Sequence, residues 1–268
     1  MKVLITGYSG FLGSYLCKNL TKNFEIIKVN LREIPDEKSD LFNMFLDKFI
    51  GADVIINCAA NLKPKTKKDI FINENFPTVL LDYLKKKEKN PFFIHISSIN
   101  VLVSDRKDYY TTTKKNAEIN LENQNVAIVR LPLVYDKINN VIQATGNFKL
   151  IERYLNLRYL PVYPMIFPGH IHYPVEISKI ANFIEKIIKK GNVGPSVYNI
   201  AGSDKKSLWD LIQEMALYKK KKLLKINFQI LNKITPIFIK KILIKNSSIL
   251  QQLIVIDHTE YEEKKEYL

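Results

Sequence analysis

The chain is short of the residues that mark several protein classes. Only two of its 268 residues are cysteine, Cys17 and Cys58, and with four histidines there is no grouping at metal-ligand spacing. Reduced thiols and no metal are expected. No run of about 18 apolar residues occurs and the first strand-like segment starts at residue 2, so neither a membrane span nor a signal peptide is expected, and the expected location is the cytoplasm. There is no internal repeat. Carboxylates are outnumbered: 27 Asp and Glu against 41 Lys and Arg leave a net charge of +14. The lysine runs Lys85-Lys86-Lys87 and Lys219-Lys220-Lys221-Lys222 stand beside no nucleic-acid motif. They read as a solvated basic surface that attracts polyanionic small molecules, with no nucleic-acid partner. Glycine is scarce as well, at nine residues, yet three of them fall between positions 7 and 13.

Those three sit in an informative place. Lys2-Val3-Leu4-Ile5-Thr6 reads as a buried strand that runs into Gly7-Tyr8-Ser9-Gly10-Phe11-Leu12-Gly13 and then a helix over 14–21. Gly7 permits a tight turn, Gly10 lets backbone amides approach a pyrophosphate, and Gly13 allows close helix-strand packing, with the phosphates facing the positive helix N-terminus. Glu25 to Val29 forms the next strand. Its end, where a dinucleotide site usually carries an acid for the adenosine ribose, holds Asn30, and Arg32 follows; a guanidinium there favours NADP, with NAD as the alternative.

Strands and helices then alternate as in a parallel sheet. Asp53 to Asn57 is a strand ending in the small residues Cys58-Ala59-Ala60, which leave room for a cofactor. Asn75 to Lys87 reads as a helix and Phe92 to Ile96 as a strand ending at Ser97-Ser98. His95 reads as a packed core residue, whereas Ser98 lies at a strand's carboxyl end, where ligands of open α/β sheets bind. Tyr110 and Lys114 stand one helical turn apart on one face, so a cation would stabilise phenolate and lower the phenol from its usual value of about 10. That pair suits proton exchange with a carbonyl or alcohol during hydride transfer. Tyr109 is a decoy, since four residues on lies Thr113. Val126 to Leu131 is a further strand.

Together these segments resemble an extended short-chain dehydrogenase/reductase of the nucleotide-sugar epimerase, dehydratase and reductase superfamily. The resemblance rests on Thr6 to Gly13, Asn57-Cys58-Ala59-Ala60, Ser97-Ser98, Tyr110 with Lys114, Arg130-Leu131-Pro132-Leu133-Val134-Tyr135, and Tyr198-Asn199-Ile200-Ala201-Gly202. It implies an α/β Rossmann fold, a doubly wound parallel sheet with a small C-terminal substrate lobe. The expected NAD(P)-binding domain is 1–146 with a return segment at about 174–202, and the lobe is 147–173 and 203–268. It further implies Tyr110 as catalytic acid or base, Ser98 as hydrogen-bond partner of the sugar oxygen, and Lys114 as both ribose ligand and tuner of the phenol. Gly7, Ser9, Gly10, Phe11, Leu12, Gly13, Asn30, Arg32, Cys58, Ala59, Ala60 and Leu133 would line the cofactor.

Departures from the family narrow the chemistry. Ile99 and Asn100 stand where dehydratases carry an Asp-Glu pair, and no cysteine follows Ser98 as in members that combine 3,5-epimerisation with reduction. Asp136 replaces a common glycine, the segment 174–181 lacks the usual aspartate pair, and the stretch from Ser98 to Tyr110 is short. A 4-keto reduction of a nucleotide-activated sugar is expected. The alternatives are a 4-epimerase and a catalytically silent NAD(P)-binding protein of assembly or regulation. Ser207-Leu208-Trp209-Asp210 reads as the capped start of a helix to Tyr218. Beyond it the Leu, Ile and Lys-rich segment 223–256 reads as lobe core, with a homodimer surface and a basic face for peripheral membrane association as alternatives.

Overall fold

The fold was analysed in a computed structural model, which describes residues 1–103, 106, 108–122, 124–138, 141–142, 148–157, 160–167, 171–191, 194–227 and 266–267. Most of the segment 223–256 therefore lies outside the described residues, as does most of the charged end at 260–266.

In chain order the elements are β1 (Lys2–Thr6), α1 (Phe11–Leu20), β2 (Glu25–Val29), α2 (Leu41–Leu46), β3 (Val54–Asn57), α3 (Lys67–Glu74), α4 (Phe76–Lys86), β4 (Phe92–Ser98), α5 (Tyr109–Leu121) and β5 (Val126–Leu131). Then come β6 (Val134–Tyr135), β7 (Lys137–Ile138), β8 (Val141–Ile142), α6 (Phe148–Leu155), β9 (Tyr163–Phe167), β10 (Ile171–His172), β11 (Val175–Glu176), α7 (Ile177–Lys190), β12 (Ser196–Ala201), β13 (Lys206–Ser207), α8 (Leu208–Tyr218) and β14 (Leu223–Asn227). They form two compact units, one of Met1–Leu131 with Ile177–Ile200, the other of Pro132–Glu176 with the described residues from Ala201 on.

In the first unit six parallel strands run in the order β12-β5-β4-β3-β1-β2. Val3, Leu4 and Ile5 are wholly buried, as a central strand covered on both faces requires. One row across the sheet joins Ile27, Leu4, Ile55, Phe93 and Val126. It packs under Phe42, Phe49, Phe76 and Leu80, with the Phe49 and Phe76 rings 5.8 Å apart. Strand order reverses at β1, which lies between β2 and β3, so the carboxyl ends of β1 and β3 flank the crevice where such sheets bind ligands. The helix expected over 75–87 is α4, and α3 precedes it without having been expected. Asn75 ends one helix and opens the next, followed by Pro77, which lacks the N–H that a continuous helix needs.

The second unit begins at Pro132, before the expected boundary at 146, because Val134 and Tyr135 pair with Val175 and Glu176. Its core gathers Ile142, Leu155, Tyr163, Leu211 and Met215. The expected cap of α8 is present: Ser207 accepts from the Asp210 amide while Asp210 accepts from the Ser207 amide. Gly202 packs so closely that a Cβ would lie 2.0 Å from the Pro174 carbonyl oxygen. Among the described residues no helix is long and apolar enough to cross a membrane.

Candidate active site

The glycine turn closes the carboxyl end of β1. Gly7 has φ +66°, and a Cβ on it would lie 2.7 Å from the Ala59 nitrogen; one on Gly13 would lie 2.3 Å from the Gly7 carbonyl oxygen. Only glycine fits these two positions without moving backbone. The turn thus nests against Cys58 and Ala59, the residues expected to share the site, and the Ala59 amide donates to Thr6 Oγ1 at 3.3 Å. Gly10 caps α1 with no side-chain bond to the helix amides, and no acid stands in the first turn. Free amides at a helix N-terminus in a cradle without side chains fit a pyrophosphate. Ser9 is exposed while Phe11 and Leu12 are half-buried, and Ala60 is exposed.

Beyond β2, Asn30 accepts from the Arg32 amide at 3.1 Å and donates to Glu33 Oε1 at 3.0 Å. Lys68, in the first turn of α3, reaches the same segment and donates to the carbonyls of Arg32 at 2.9 Å and Ile34 at 2.8 Å. Neither Glu33 nor Lys68 was foreseen as part of this region. Glu33 is visible as the next residue after Arg32, whereas nothing local in the sequence points to Lys68.

On the other side of the crevice Lys114 is 1% exposed. Its ammonium donates to the Ile96 carbonyl of β4 at 2.7 Å, two residues before Ser98. Burial lowers its pKa to about 8, with Cys58 and Glu118 pulling upward. The same charge bears on His95, whose pKa burial has already driven well below its ordinary value. His95 is wholly buried with Nδ1 3.2 Å from Asn57 Nδ2, which agrees with a core role. Burial also pushes the Cys58 thiol up to about 12, so it stays neutral. Ser98 is buried, and its hydroxyl accepts from the Asn100 amide at 3.3 Å.

Tyr110 is half-buried, while Tyr109 is 74% exposed. The tuning of the phenol differs from expectation. Burial, then the Asp108 carboxylate, push it up to about 12, and the opposing cation is Arg106 rather than Lys114. Lys114 has turned its charge to the Ile96 carbonyl. Asp108 caps α5 through the Thr111 amide at 3.0 Å and pairs with Arg106 at 2.7 Å. Burial raises its own pKa, but the bonds from Arg106 and Thr111 outweigh this and hold it low. One turn beyond Lys114, Glu118 accepts from Ser97 Oγ at 2.5 Å and from Arg130 at 2.5 Å. The cap was legible as an Asp three residues before a Thr, and Glu118 as the next i+4 position after Lys114. Leu133 belongs to the second unit, where its carbonyl accepts from the Val175 amide at 3.0 Å.

Residues 3–122 match the family described as the NAD dependent epimerase/dehydratase family. No curated protein matches the sequence. Several solved structures share the fold. A dTDP-4-dehydrorhamnose reductase of Clostridium acetobutylicum is 21% identical over 85% of each chain, with a TM-score of 0.66. One of Bacillus anthracis, in complex with NADP, is 18% identical over 86% of this chain and 85% of its own, also at 0.66. A UDP-glucuronic acid 4-epimerase of Bacillus cereus, in complex with NAD, is 23% identical over 85% of this chain and 86% of its own, at 0.63.

Proposed function

We propose, from the match of residues 3–122 to the NAD dependent epimerase/dehydratase family, that the chain is an NAD(P)-dependent oxidoreductase that reduces the 4-keto group of a nucleotide-activated sugar, using NADPH. The observation that carries this reading is geometric: Tyr110 and Lys114 stand one turn apart on α5, and Lys114 is anchored to the Ile96 carbonyl of β4 two residues before Ser98, while the phenol, pushed up by burial, is protonated at neutral pH. Reduction needs that form. Bound NADPH would supply the hydride. As charge builds on the carbonyl oxygen, that oxygen becomes an alkoxide far more basic than the phenolate, and Tyr110 gives up its proton to it. Ser98 donates its hydroxyl proton to the same oxygen and holds it at the carboxyl end of β4. Lys114 spends one N–H on Ile96 and has two left for the nicotinamide ribose hydroxyls. The Gly7–Gly13 turn would receive the pyrophosphate, and Arg32 the 2′-phosphate.

A second reading, a 4-epimerase holding NAD, draws support from Glu33, whose carboxylate beside Asn30 suits a ribose with free hydroxyls. Stoichiometry separates the two. We expect purified protein to oxidise NADPH in proportion to an added nucleotide-linked 4-ketosugar, and Tyr110→Phe to lose about 100 to 10,000-fold in turnover while binding NADPH as before. Interconversion of 4-epimers with no net change in nicotinamide absorbance would assign the epimerase, and full activity in Tyr110→Phe would remove the catalytic role.

A further inference from the structure

We propose that Lys68 is a specificity-determining residue of the cofactor site: it straps the segment after β2 to the first turn of α3 and, with Arg32, supplies the positive charge that selects a 2′-phosphorylated nucleotide. The proposal rests on the NADPH reading above and adds to it a residue that lies 36 positions from Arg32 in sequence.

The segment holding Arg32 leaves the carboxyl end of β2, α3 follows the carboxyl end of β3, and β1 with its glycine turn lies between those strands. A side chain reaching from α3 to Arg32 and Ile34 therefore spans the end of β1, where the adenosine half of a dinucleotide rests when its pyrophosphate sits on the glycine turn. The α3 end of the strap is firmly seated. Thr66 and Asp69 form a capping box, and Asn61 donates to Asp69 at 2.8 Å and exchanges bonds with Asn73 at 2.7 and 2.9 Å.

The charge is misplaced for the helix and well placed for an anion. A lysine in the first turn opposes the helix macrodipole, and two carbonyls at 2.9 and 2.8 Å compensate it only in part. An ammonium has three N–H donors, so one remains for a ligand. Two carbonyl bonds also fix the backbone on either side of Glu33 and so preorganise the turn that presents Arg32. Glu33 opposes these cations with a single carboxylate, leaving Arg32 and Lys68 in excess by one charge.

The test uses the intact chain and binding alone, read by fluorescence titration of NADPH and NADH, with 2′-AMP and 5′-AMP as competitors. Lys68→Met should weaken NADPH and 2′-AMP roughly tenfold, the loss of one charge-assisted contact, and leave NADH and 5′-AMP within about twofold. Lys68→Arg should keep most of the preference. Lys67→Met, which removes the same charge one residue earlier without either carbonyl bond, should change NADPH less than about twofold, and Glu33→Gln should tighten it. Equal weakening of NADPH and NADH in Lys68→Met, or no change in either, overturns the proposal. A wild-type chain that binds neither nucleotide overturns the oxidoreductase reading instead, and that result appears before any variant is made.

Discussion

Lys114 carries its charge almost entirely out of water, and that has a measurable consequence for stability. Burial lowers its pKa from 10.5 to about 8. Between those values the unfolded chain keeps a proton that the folded chain has shed, so the contribution of this group to stability rises as pH climbs from about 8 to about 10.5. Below pH 8 both states are protonated and the burial penalty is constant. Lys114→Met lacks the group. Urea unfolding at pH 7.5 and 9.5 should therefore show wild type gaining on the variant by on the order of 2 kcal/mol at the higher pH, and a gap independent of pH would refute the assignment. The spacing of Tyr110 and Lys114 was legible because four residues is a helical turn. The direction of the Tyr110 shift was not, because it depends on what surrounds the phenol, and Asp108 with Arg106 entered only once the segment before α5 had folded against it.

Helix α5 is fixed along its inner face by polar contacts rather than by an apolar stripe alone. Lys114 holds Ile96, Glu118 takes bonds from Ser97 and Arg130, and Arg130 reaches Asn199 of β12 at 3.3 Å. The helix is thereby tied to β4 directly and to β5 and β12 through Arg130. Glu118 is 9% exposed, so Arg130→Met would leave its carboxylate buried without its paired guanidinium. Breaking such a pair costs about 3 kcal/mol or more, whereas replacing both charges by apolar groups costs less. Chemical denaturation should show Arg130→Met well below wild type, with Glu118→Leu/Arg130→Met closer to it; equal losses in the single and double variants would mean that the ion pair has no special part. A change of turnover in Glu118→Gln without loss of fold would show that the helix also positions Tyr110. The start of α5 was written in its Asp cap, but α3 went unread because its eight residues show almost no amphipathic stripe, and only the Asn75 and Pro77 break separates it from α4.

A net charge of +14 bears on encounter with ligands, since both a nicotinamide nucleotide and a sugar nucleotide are polyanions. Raising salt from about 50 to about 500 mM shortens the range of that attraction. NADPH carries one more phosphate than NADH, so its Kd should rise more steeply with salt; parallel slopes in fluorescence titrations would argue against a cationic 2′-phosphate site. The alternation of strands and helices and the glycine turn were determined by the sequence alone, because periodicity, Gly7 at positive φ and Gly13 under a carbonyl are local demands that the chain must meet within a few residues. Three matters were settled only when distant segments met. Lys68 came to Arg32 because the sheet places β1 between β2 and β3, an order no local pattern encodes. The departure to the second unit at Pro132 followed from the pairing of Val134 with Val175, and Gly202 owes its place to the Pro174 backbone lying against it. Each is a contact between parts of the chain far apart in sequence, fixed by how the layers stack and not by any residue's own preference.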